Sequence, residues 1–200
     1  MRDRAPTGWW AQGAFAAILV ATVGQLALAV ALPDLEQFEG KAFTARLVAY
    51  PLMMLAVPAV WWVKNRGHDH RGVPWAAFAW IALPFLVDTS GNTADLYDSV
   101  GWWDDANHLV NWFFLGTGAG LLVTRSLPRP SWAPGLMVAG IGAGLAILWE
   151  IGEYYAFIRG GTELDTAYTD TLGDLTLGSL GSVIAGGVVA HRYRREGAGP

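Results

Sequence analysis

The stretch PGLMVAGIGAGLAILWEIGE, residues 134–153, decides the fold class. It carries no charged residue before Glu150, and Glu153 follows about one helical turn later. An apolar run of about 20 residues is long enough to cross the hydrocarbon core of a membrane as an α-helix. Backbone polar groups inside hydrocarbon must be satisfied within the segment, so we expect this run to be helical.

The composition of the whole chain indicates a membrane protein. Of its 200 residues, 53% are hydrophobic and only 15% are charged, whereas soluble domains average about 25% charged residues. The absence of cysteine excludes disulfides, thiolate metal ligands and a cysteine nucleophile. The basic residues are scattered between apolar runs, which argues against a nucleic-acid partner.

Six stretches are long and apolar enough to span a membrane, and the sequence predicts an all-α polytopic helical bundle in one domain, residues 1–200. The predicted spans cover about residues 9–32, 43–63, 73–87, 106–123, 134–158 and 171–190. The first span has an alternative interpretation as a cleaved signal, because its charged start precedes an apolar run that ends in the small residues 29–31. Its apolar length favours an uncleaved helix.

The charges between the spans predict the orientation. Basic residues fall before the first span and in alternate connections, namely Arg2, Arg4, Lys64, Arg66, Arg71, Arg125, Arg129, Arg192, Arg194 and Arg195. The other connections carry most of the acids. By the positive-inside rule, both termini are cytoplasmic and the acidic loops are extracytoplasmic, as in a multi-pass protein of the bacterial cytoplasmic membrane.

Small residues predict how two of the spans pack. Gly116 and Gly120 stand four apart in the fourth span, and Gly140 and Gly144 do so in the fifth. This spacing allows a neighbouring helix to approach closely.

Ionisable residues gather at the predicted extracytoplasmic ends of the last three spans. Each span offers them at helical spacing, namely Asp104, Asp105 and His108, then Glu150 and Glu153, then Asp170 and Asp174. Asp88 ends the third span, and the nearby cations Arg46 and Arg159 can each pair with one carboxylate. Since charges beside hydrocarbon are costly unless they face a partner, water or a metal, this convergence predicts a functional site.

Carboxylates with an imidazole are a suitable ligand set for a divalent cation. The predicted catalytic residues are Glu150, Glu153, His108 and Asp174. The predicted metal ligands are Asp88, Asp105, His108, Glu150, Glu153, Asp170 and Asp174. The competing interpretation is a structural network in which acids cap helix starts. It explains Glu150, Glu153 and Asp174 poorly, because they lie a turn or more inside their spans.

The spacing of these polar residues resembles a known family. The motifs are Trp103-Asp104-Asp105-Ala106-Asn107-His108, Trp149-Glu150-x-x-Glu153 and Tyr168-x-Asp170-Thr171-x-x-Asp174. They resemble YjdF-type bacterial membrane proteins and, more distantly, VanZ-like proteins, over roughly residues 80–190. The resemblance implies a small polytopic fold without a settled activity. The residues of this chain that match the family's motif are Asp88, Asn92, Asp98, Asp105, His108, Glu150, Glu153, Asp170 and Asp174.

The leading functional hypothesis is an extracytoplasmic-side site that binds or processes a lipid or lipid-linked envelope molecule with a bound divalent cation. Membrane lipids are the expected partners. One alternative is a cation- or proton-coupled transporter that uses the same acids as relay groups. The other is a non-catalytic membrane scaffold whose buried acids only fix the helix register.

Overall fold

The computed structural model describes residues 9–66, 72–128, 131–159 and 162–197. In these ranges the chain is helical and contains no strand. The seven α-helices are α1 (Trp9–Ala31), α2 (Phe43–Lys64), α3 (Trp75–Thr93), α4 (Leu96–Ser99), α5 (Trp103–Val123), α6 (Ala133–Glu153) and α7 (Ala167–Gly197). The all-α prediction is therefore confirmed. Arg2, Arg4, Arg71 and Arg129, which contributed to the predicted orientation, lie outside the described residues.

Four helical segments of the described chain are long and apolar enough to cross a membrane: Trp9–Ala31, Phe43–Lys64, Ala133–Ala156 and Ala167–Glu196. Helices α3 and α5 have 19 and 21 residues but are not among them. Each carries polar side chains at one end, with Asp88 and Asn92 in α3 and Asp104 and His108 in α5. The six predicted spans thus correspond to six long helices in the described residues, and four of these are both long and apolar enough to cross a membrane.

Several helix boundaries differ from the prediction, and two of the differences have local reasons. Helix α3 continues to Thr93 instead of ending near residue 87, because Asn92 stays helical and its Nδ2 donates to the Asp88 carbonyl at 3.0 Å. Helix α6 ends at Glu153 and passes into a π-helical turn, Tyr154–Ile158. The Arg159 amide donates to the Tyr154 carbonyl at 2.9 Å across this wider turn.

The chain divides into two compact units, Met1–Ser99 and Val100–Pro200. In the N-terminal unit, α1 packs mainly on α3, and α2 contacts both helices. Its buried apolar cluster consists of Leu26, Ala29, Phe38, Phe43 and Tyr50. In the C-terminal unit, α7 packs along both α5 and α6. All of the predicted catalytic residues belong to this second unit.

Small residues allow the close approach of α7 to its neighbours. A Cβ atom added at Gly135 in α6 would lie 2.7 Å from the Gly186 carbonyl oxygen of α7, so only glycine fits there. Gly116 in α5 likewise packs against Ala185 of α7. The predicted role of Gly140 and Gly144 in packing within the chain is wrong, because nothing lies within 4 Å of a Cβ atom at either position. The packed face of α6 instead carries Gly135 and Gly142.

Replacement of Gly135 by alanine should therefore destabilise the C-terminal unit. The added methyl group meets backbone that cannot rotate away, and overpacking of this kind costs about 1–3 kcal/mol. Gly140→Ala on the same helix is the matched control, expected to be neutral or stabilising because alanine favours helix by up to about 1 kcal/mol. Thermal unfolding in detergent measures both, and equal midpoints would contradict the packing assignment.

Candidate functional site

Helix α5 presents His108 to the interior of the C-terminal unit. His108 is only 9% exposed, and Asp104 precedes it by four residues on the same helix face. The Asp104 Oδ1 atom lies 3.8 Å from His108 Nε2. Asp104 and Asp105 stand four and three residues before His108, so spacing allows either to share this face, and the structure brings Asp104 to the histidine.

Helices α6 and α7 each contribute a buried carboxylate to the same imidazole. Glu150 and Asp174 are 6% and 4% exposed. Glu150 Oε1 lies 3.8 Å from His108 Nδ1, and Asp174 Oδ1 lies 3.5 Å from His108 Nε2. The two ring nitrogens of one histidine thus face carboxylates from two different helices. Glu153, one turn after Glu150, is half-buried beside them.

The spacing of these atoms fits the ligands of a metal ion. One ligand atom each from Asp104, His108 and Asp174 lies within 4.8 Å of the others, and the same holds for His108, Glu150 and Glu153. Two ligands of one ion can lie no farther apart than twice the metal–ligand distance, which is about 4 to 5 Å for divalent cations. The distances from the His108 ring nitrogens to the three nearest carboxylate oxygens, 3.5–3.8 Å, are also longer than a hydrogen bond. We call Asp104, His108, Glu150, Glu153 and Asp174 the His108 cluster.

Two predicted metal ligands, Asp105 and Asp170, are exposed and line an open cleft of about 500 Å³ beside the His108 cluster. The other residues that line it are Asp165, Thr166, Thr169 and Gly173. Asp170 stands one helical turn before Asp174 on α7, so the two carboxylates are closer than a Debye length. The cleft and the cluster are therefore within electrostatic reach of each other.

Asp88, the remaining predicted ligand, belongs to the N-terminal unit and already has three partners there. Its carboxylate accepts hydrogen bonds from Tyr50 and Tyr97, both at 2.7 Å. Arg46 Nη1 donates to it at 3.2 Å, which confirms that Arg46 pairs with a carboxylate. One cation and two hydroxyl donors compensate the charge of Asp88, so its geometry is that of a structural anchor between α2, α3 and α4.

Residue spacing did not indicate that two tyrosines are partners of Asp88, with phenol groups that come from α2 and from α4. Helical spacing within one element does not reveal such partners, since both contacts are tertiary.

Three further residues that the sequence singled out lie outside the His108 cluster. Arg159 was expected near a carboxylate, and its guanidinium lies 5.8 Å from the centre of the Tyr155 ring. Asn92 is buried next to Asp88. Asp98 forms an ion pair with Lys41.

Tyr97→Phe should destabilise the N-terminal unit, because it removes a hydrogen bond to a charged, partly buried carboxylate. Bonds of this type contribute about 1.5–3 kcal/mol. Tyr155→Phe, which removes an exposed phenol, is the control and should change stability by less than about 0.5 kcal/mol. Chemical denaturation in detergent compares the two variants, and an unchanged midpoint for Tyr97→Phe would refute the anchor role.

A comparison with models of protein families identifies the family of this chain. The model of a family described as "Predicted membrane protein (DUF2238)" matches residues 14–196. The matched region includes the whole His108 cluster. No curated protein and no solved structure matches the chain.

Proposed function

This chain belongs to the DUF2238 family of predicted membrane proteins, and we propose that it binds a divalent cation in the His108 cluster and acts on a lipid-linked molecule. The observation that carries the proposal is the position of His108 between Glu150 and Asp174, at 3.8 and 3.5 Å. Three helices, α5, α6 and α7, supply these groups. Their contributions converge at one end of the C-terminal unit.

The charge of the cluster supports a cation. Four carboxylates and one imidazole lie close together, and two of the carboxylates are more than nine-tenths buried. Removal of carboxylates from water is costly unless opposite charge or protons compensate them. The donor set, with one nitrogen ligand, several oxygens and no thiolate, suits Zn²⁺ or Mn²⁺.

The surroundings of the cluster support a lipid-linked substrate. Leu148 and Ile151 flank Glu150 on α6, and Leu172 precedes Asp174 on α7; all three are exposed. In a membrane, such side chains contact acyl chains, so the site lies beside a surface that lipids can reach laterally. A bound divalent cation would polarise a substrate oxygen. Glu153, which is half-buried, is placed to exchange a proton with the substrate or with water.

The membrane arrangement in this proposal has six spans, both termini in the cytoplasm and the His108 cluster on the extracytoplasmic side of a bacterial cytoplasmic membrane. The charge bias of the connections supports this orientation. The YjdF-type resemblance is consistent with the matched family. The comparisons do not support the VanZ-like resemblance.

Purified protein should bind Zn²⁺ or Mn²⁺ near stoichiometrically, and both Glu150→Gln and Asp174→Asn should weaken that binding. Loss of a residue that only supports a ligand costs about 10–100-fold in metal affinity, so loss of a ligand should cost at least tenfold. Elemental analysis and titration calorimetry measure content and affinity.

The isosteric controls for this experiment lie in the N-terminal unit. Glu39→Gln and Asp34→Asn change exposed acids and should leave metal binding unchanged. Equal affinity in all five proteins, or negligible metal in every one, would contradict the cation site.

The natural absence of cysteine makes the orientation directly testable. Single cysteines at Glu39 and Ser126, both exposed positions, should differ in whole cells. A membrane-impermeant maleimide should label Glu39→Cys and leave Ser126→Cys unlabelled until the membrane is permeabilised. The cysteine-free parent is the control, and the reverse pattern would overturn the proposed orientation.

A further inference from the structure

We propose that the open cleft beside the His108 cluster is the route by which the divalent cation reaches the buried ligands. We call it the acidic cleft, lined by Asp105, Asp165, Thr166, Thr169, Asp170 and Gly173. The inference rests on the proposed function, since a route matters only if the buried cluster binds an ion. It assigns a role to residues that the cluster itself does not use.

Chain connectivity links the acidic cleft to the His108 cluster at three points. Asp105 in the cleft directly follows Asp104 of the cluster on α5. Gly173 directly precedes Asp174 on α7, and Asp170 stands one helical turn before Asp174. The same two helices therefore supply residues to both the cleft and the cluster, and Asp165 and Thr166 of the segment before α7 complete the cleft wall.

The charge of the acidic cleft favours cations. Three carboxylates line an opening of about 500 Å³, a volume that admits a hydrated ion. A concave surface of one sign raises the local concentration of oppositely charged ions and speeds their association. Asp170 stands one helical turn before Asp174, so the acidic surface continues from the cleft to the cluster. Threonine hydroxyls in the same wall can replace water molecules as the ion loses its hydration shell.

Gly173 keeps the cleft wide. A Cβ atom added there meets nothing within 4 Å, so the space above this residue is open cleft. Glycine inside a helix costs up to about 1 kcal/mol relative to alanine, and no neighbouring helix requires its small size. A larger side chain at this position would therefore occupy the route without displacing packed residues or removing a charge.

Gly173→Leu tests the route by kinetics. In rapid mixing of the purified full-length protein with Mn²⁺, followed by tryptophan fluorescence, this variant should associate at least tenfold more slowly than the wild type. Release should slow by the same factor, because an obstructed route raises the barrier in both directions. The equilibrium Kd should therefore stay within threefold of the wild-type value. Gly187→Leu is the matched control on the same helix, at a second open position, and should keep the wild-type rate.

Asp105→Asn supplies a second test that leaves the shape of the cleft unchanged. It should lower the association rate and weaken its dependence on salt, because one attracting charge is lost. A wild-type rate in both Gly173→Leu and Asp105→Asn would overturn the route while leaving the cation site intact. Loss of affinity in Gly173→Leu that matches its loss of rate would also overturn it, since Gly173 would then be part of the site. Absence of Mn²⁺ binding to the wild type at equilibrium would instead refute the proposed function.

Discussion

Carboxylates removed from water need partners that replace their lost hydration. In the C-terminal unit this need is concentrated on one imidazole, since Glu150 and Asp174 approach opposite ring nitrogens of His108. The N-terminal unit meets the same need with its own side chains, because Arg46 and two tyrosines surround Asp88. The two units thus treat their buried or partly buried acids differently. The N-terminal unit compensates the charge of Asp88 with its own side chains. The C-terminal unit brings several acids together, and their charge must be compensated by a bound cation or by protons.

Convergence of the acids depends on how closely the helices pack elsewhere. Helix axes are separated by about 8–10 Å in ordinary packing, depending on the side chains at the contact. Along α7, small residues reduce that separation, with Gly186 facing Gly135 of α6 and Ala185 facing Gly116 of α5. This close packing allows short side chains such as Asp174 to reach a histidine on another helix. The geometry of the polar cluster therefore depends on the close packing of the apolar interfaces.

The length of the apolar runs, and the free-energy cost of charges beside hydrocarbon, predicted most of the fold and part of the candidate site. The apolar runs identified all six long helices, and helical spacing identified His108, Glu150, Glu153 and Asp174. Choosing between Asp104 and Asp105 required the direction in which α5 faces, which depends on its contacts with α7. The grouping of Asp88 with the other acids came from its position at a span end. Its actual partners, Tyr50 and Tyr97, are tertiary neighbours that no spacing within one helix encodes.

Helix α7 is long enough for its two ends to lie about one membrane thickness apart. Asp174 and Arg192 are 18 positions apart, and a rise of 1.5 Å per residue separates them by about 27 Å, close to the roughly 30 Å of membrane hydrocarbon. At the far end, Arg194 lies over the Trp132 ring at 4.2 Å and Tyr193 donates to the Leu127 carbonyl, so both contacts tie that end of α7 to the segment around the start of α6. Helix α7 is thus held to its neighbours at two points, by the His108 cluster at Asp174 and by these contacts about one hydrocarbon thickness away.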